Sequence, residues 1–108
     1  MIAGAVALPA IIFDEIDTGT SGDVADRVGA IMKEMSSGMQ VIVITHLPQI
    51  ASKGDVHFKV FKEETDNEIT TNIKVLSSSD RVEEIAGMLS GSEITKEALQ
   101  NARVMLDV

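Results

Sequence analysis

The sequence predicts an α/β fold: a parallel βαβ core, a following β-hairpin and two C-terminal helices. Three observations carry that expectation. Two short apolar runs, Ile11-Ile12-Phe13 and Val41-Ile42-Val43-Ile44, flank a stretch of helical periodicity. Continuous apolar runs of this length read as strands buried on both faces, and strands joined through a helix lie parallel. Two alternating runs around a polar turn then read as an antiparallel pair, and two amphipathic stretches close the chain.

Pro9 marks the boundary before the first strand, Ala10–Asp14, because the residue before a proline disfavours helix. The segment 18–23 is a loop of small polar residues, in which Ser21 or Asp23 can cap the next helix. That helix sets Val24, Val28, Ile31, Met32 and Met35 on one face. Ser36-Ser37-Gly38 ends it, with Gly38 suited to a left-handed terminator. The second strand covers residues 40–45, and the crossover to it is expected to be right-handed. A short helix over 47–52 stops near Lys53-Gly54. The hairpin strands are expected at 56–62 and 69–76, with 63–68 as the turn. Ser79 or Asp80 caps a helix that buries Val82, Ile85, Ala86 and Leu89. Gly91-Ser92 breaks it, and Ile94, Leu99, Ala102 and Leu106 mark the last helix.

The chain of 108 residues is long enough for one small domain with a core. Aromatic residues are 3% against 44% hydrophobic, so that core is aliphatic. There is no cysteine, which excludes a disulfide framework and a thiolate metal site and fits a reducing cytosol. The net charge of −8 makes a poor general platform for nucleic acid, though it serves solubility. No apolar run approaches the roughly 18 residues of a membrane span. Residues 1–8 are apolar without the basic start of a signal peptide, and read as the tail of an element whose beginning is absent.

The chemistry concentrates where the first strand ends. Asp14, Glu15 and Asp17 place three acids within four residues. Adjacent carboxylates at the end of a buried strand are costly unless a cation or an activated water needs them. A strand-end Asp can hold Mg²⁺ through water while the metal neutralises phosphate oxygens, and the next carboxylate can orient or deprotonate an attacking water. The second strand ends in Thr45-His46, so both polar clusters fall at the carboxyl edge of one sheet, where open α/β sheets bind ligands. His46 is a neutral-pH donor for a phosphate. The alternatives are solvated turn acids and a packing histidine. His57, inside an expected strand, reads as structural.

Leu8-Pro9-Ala10-Ile11-Ile12-Phe13-Asp14-Glu15-Ile16-Asp17-Thr18-Gly19, followed by Ser21-Gly22-Asp23-Val24-Ala25, resembles the Walker B and D-loop stretch of the RecN family. These are bacterial double-strand-break repair ATPases of the SMC-like, ABC-type group. Gln40-Val41-Ile42-Val43-Ile44-Thr45-His46-Leu47-Pro48-Gln49-Ile50-Ala51 resembles the family's H-loop. His57-Phe58-Lys59-Val60, Arg81 to Leu89 and Ala102-Arg103 are similar to its tail. The resemblance implies part of a P-loop NTPase of the ABC-type head, in a single domain over residues 1–108. It implies that Asp14 serves Mg²⁺ through water, Glu15 is the catalytic base and His46 contacts the γ-phosphate of ATP. Asp17 would lie in the D-loop, facing a partner head. It further implies ATP and Mg²⁺ as cofactors of the full-length protein, with none held by this chain alone. The implied partners are the rest of the same head, a second head in a homodimer, and DNA contacted mainly elsewhere. No membrane is implied, and the expected location is cytoplasmic, at the nucleoid when acting on DNA.

One part of such a site is missing. A P-loop needs a Gly-Lys pair, and no glycine here is followed by lysine. The N-terminal lobe with its Walker A cradle is therefore expected outside this chain. Leu89-Ser90-Gly91-Ser92-Glu93 looks like an ABC signature, but it follows the switch histidine and has serine where the signature has glycine. It reads as a helix end and a cap. The acids also match the D-E-x-D box of helicases, though the next strand lacks the Ser-Ala-Thr-like motif. Phosphatases of the haloacid-dehalogenase type use D-x-D, a poorer fit. A non-catalytic α/β interaction module is the non-enzyme alternative.

Overall fold

The computed structural model describes residues 9–14, 21–91 and 93–108. The elements in chain order are β1 (Ala10–Asp14), α1 (Gly22–Met35), β2 (Gln40–Ile44), α2 (Pro48–Ala51), β3 (Phe58–Thr65), β4 (Glu68–Val75), α3 (Ser78–Ser90) and α4 (Lys96–Leu106). β1 and β2 pair in parallel, with Ala10 opposite Gln40 and Asp14 opposite Ile44. β3 and β4 form a separate antiparallel sheet, so the hairpin does not extend β1–β2 among the described residues.

The parallel pair is not buried on both faces, contrary to the expectation from its apolar runs. Ile11, Phe13, Val41 and Val43 are half-buried, while Ile12 is 65% and Ile44 50% exposed on the opposite face. The best-buried core lies instead between α3 and α4. Val82, Ile85, Ala86, Ala98 and Ala102 form it, with Ala51, Leu89 and Leu99 packed against them. Small residues on both helices let the two axes approach closely around Ile85, which is fully buried.

α1 begins where Ser21 Oγ accepts from the Val24 amide. Its buried face is Ala25, Gly29 and Met32, with Val28 and Met35 half-buried. Val24 and Ile31, expected inside, are exposed. The reason is α2, which packs on the small residues. A Cβ on Gly29 would lie 3.0 Å from the Gln49 carbonyl oxygen. The end of α1 also differs from expectation. Gly38 does not adopt a positive φ. The Ser36 and Ser37 hydroxyls instead donate to the Lys33 and Glu34 carbonyls, satisfying groups that the helix end leaves free.

The hairpin strands run further toward each other than the polar 63–68 stretch suggested. Asp66 and Asn67 alone make the turn, at φ 45° and 67°. Two left-handed residues form the turn whose twist matches paired strands, and Asp and Asn tolerate that region. α3 starts earlier than expected: Ser77, not Ser79 or Asp80, caps it by accepting from the Asp80 amide. Gly91, at φ 82°, ends it. Thr95 caps α4, which leaves Ile94 outside the helix and half exposed.

Candidate functional site

Asp14 is the last residue of β1, exposed, with Ile44 as its register partner on β2. The parallel pairing therefore brings Asp14 and Thr45-His46 to the same carboxyl edge. Glu15, Ile16 and Asp17 lie outside the described residues, as does Ser92.

The turn after β2 is built by short-range bonds. The Leu47 amide donates to Thr45 Oγ1 at 3.0 Å, which folds the backbone back directly after His46. Leu47 is the N-cap of α2 in extended conformation, with no side-chain cap, and Pro48 opens the helix. Proline suits a first helical position, because its missing N–H would be unpaired there and its φ is preset. His46 is exposed at this edge.

α2 has only four residues, and its neighbours hold it. Lys53 pairs with Asp26 of α1 at 3.1 Å, and Lys33 of α1 pairs with Asp55 beyond α2. The Lys33 hydrogen bond and charge keep the Asp55 carboxyl below its usual pKa. On the other side Arg81 of α3 reaches the end of α2. Its Nη2 lies 3.1 Å from the Ala51 carbonyl oxygen, 3.3 Å from that of Ser52 and 2.5 Å from that of Gly54. Burial lowers the Arg81 pKa, with Asp55 opposing the shift, but a guanidinium remains charged.

His57 lies just before β3, not inside it, and its carbonyl accepts from the Leu76 amide at 2.9 Å. Its Nδ1 is buried without a protein partner. Burial lowers its pKa, with the Arg81 and Lys59 charges adding and Glu84 opposing.

Among the described residues no group of three acids, histidines or cysteines could cage a metal ion. One exposed strand-end carboxylate fits Mg²⁺ in the way that cation is held at phosphates, by one or two carboxylates with water and substrate oxygens. Asp14 is the described residue that would hold it.

These parallel strands, hairpin and closing helices form a fold similar to that of a solved SMC ATPase. A solved SMC ATPase chain, described through ATP-driven dimerization and DNA-stimulated activation, superposes on 79% of this chain with a TM-score of 0.60. The match covers 50% of that chain at 22% identity. No protein-family model matches. By sequence the chain is similar to a segment of the DNA repair protein RecN. It is 51% identical over 98 residues to the DNA repair protein RecN of Rickettsia conorii. It is 46% identical over 102 residues to that of Haemophilus influenzae and 44% over 96 residues to that of Bacillus subtilis. These matches cover 91%, 94% and 89% of this chain. The chain spans under a fifth of each relative, 18%, 18% and 17% of their lengths. The helicase and phosphatase readings have no support from these relatives.

Arg81 is the residue to which the sequence reading gave no role. Its carbonyl partners lie 27 to 30 positions earlier in the chain, so no local spacing reveals them.

Proposed function

We propose that this chain is the C-terminal part of the ATP-hydrolysing head of a RecN-type DNA repair and recombination protein. The observation that carries the reading is the β1–β2 register, which sets Asp14 and His46 at one carboxyl edge. The RecN and SMC relatives support the same reading.

In this site Asp14 would hold the cation. Glu15 takes a proton from the water that attacks the γ-phosphorus. The new P–O bond forms as the bond to the ADP oxygen breaks, and His46 donates a hydrogen bond to a γ-phosphate oxygen. Bound Mg²⁺ supplies charge neutralisation on the phosphate oxygens. Asp17 belongs to the D-loop and meets a second head in a homodimer. The Walker A cradle comes from an N-terminal lobe outside this sequence. ATP turnover then drives engagement and release of the two heads during DNA-break repair. DNA meets the full-length protein, and this acidic segment is not its main contact.

The test compares Mg²⁺-dependent ATP hydrolysis by the full-length protein and by this chain alone. Turnover by the full-length protein with none by the chain is expected. Robust hydrolysis by the chain alone contradicts a site split between two lobes.

A further inference from the structure

α2 follows His46 after one residue, Leu47, and it cannot stand by itself. A four-residue helix lies far below the length at which helices persist in water. Its first turn has no side-chain cap. At its other end the carbonyls of Ala51, Ser52 and Gly54 point toward a single guanidinium nitrogen of Arg81. Helix ends leave carbonyls unpaired, and a cation there also meets the negative end of the peptide dipoles. Arg81 is itself fixed. Its amide donates to the Ser77 carbonyl in the first turn of α3, and the adjacent Val82 is part of the α3–α4 core. Ala51 packs against that same core. Only Leu47 separates His46 from Pro48 at the other end of α2.

We propose that Arg81 is a positioning residue: it clamps the C-terminal end of α2 to the α3–α4 pair and thereby sets where His46 stands at the nucleotide edge. The proposal rests on the reading of His46 given above and adds a link from the closing helices to the site. Arg81 Nη2 is engaged with the backbone carbonyls of Ala51, Ser52 and Gly54, so it acts through the backbone at the end of α2. All three carbonyls meet the one nitrogen Nη2, so a lysine ammonium would keep the charge there but not the planar group that places it.

Two measurements test this separately from the site itself. In this chain, amide hydrogen exchange is followed in wild type, Arg81→Met and Arg81→Lys. The expected result for Arg81→Met is exchange faster by about tenfold or more at Ala51 and Ser52, with Ile85 and Ala102 unchanged. Arg81→Lys should recover part of that protection. Unchanged protection at Ala51 and Ser52, or equal loss across α3 and α4, overturns the clamp. In the full-length protein, Arg81→Met should lower kcat by roughly tenfold to a hundredfold with KM nearly unchanged. Combined with His46→Ala it should cost no more than His46→Ala alone. Additive losses overturn the route through His46. If His46→Ala leaves turnover unchanged, the reading of His46 fails, while the exchange measurement still decides the clamp.

Discussion

Asp14, His46, His57 and Arg81 show what a single residue's surroundings decide. That Asp14 and His46 share one strand edge was legible in the sequence because each ends an apolar run, and a parallel pairing puts such ends together. Neither needed a distant contact to be found. Arg81 was not legible, because its role exists only once α3 folds back onto α2. His57 was expected inside a strand and lies just before β3. Its environment makes a pH prediction. Burial lowers its pKa below the ordinary 6.5, so the unfolded chain binds a proton that the folded chain resists. Stability contributed by neutral His57 is therefore complete above the unfolded value and declines as pH falls through and below it. Urea denaturation from about pH 7 to about pH 5 should show a loss of stability in wild type that is smaller in His57→Gln. An equal loss in both would remove His57 as its source.

At the scale of elements, type and order were legible and faces were not. The apolar periodicity of α1 is real, yet Ala25 and Gly29 face α2 while Val24 and Ile31 face out. Hydrophobicity ranks Val and Ile above Ala and Gly, but close approach of two backbones selects the small residues. Gly29→Val would press a branched side chain against the Gln49 carbonyl and the Lys53 stem. It should lower unfolding free energy by about 1–3 kcal/mol, read from the denaturant midpoint. Between α3 and α4, Ile85→Ala would open a cavity at a fully buried position. The expected cost is about 2–5 kcal/mol, read as a fall in Tm. Helix starts shifted by a residue or two, because several serines near α3 could each cap it and only the backbone path selects Ser77.

The whole molecule is more open than its length requires. Its radius of gyration is 15.9 Å, where a compact domain of this size has about 13 Å. Among the described residues two apolar surfaces stand bare. One is the Ile12, Ile42 and Ile44 face of the parallel sheet. The other is the hairpin face, where Phe58 opposes Val75 and Val60 opposes Ile73, with Ile69 beyond. Continuous apolar runs predicted strands covered on both sides, and among the described residues one side has no cover. The isolated chain should therefore self-associate, with an apparent mass in sedimentation that rises with concentration. Ile42→Thr combined with Val60→Thr should shift it toward monomer, and a monomeric wild type at all concentrations would contradict the open-face reading.

The proposed role of the end of β1 is ATP hydrolysis in a larger head. The most direct test is steady-state ATP turnover by the full-length protein with and without Glu15→Gln. The account predicts a fall on the order of a hundredfold or more, with ATP still bound, as expected for loss of a general base. Unchanged turnover in Glu15→Gln would contradict it.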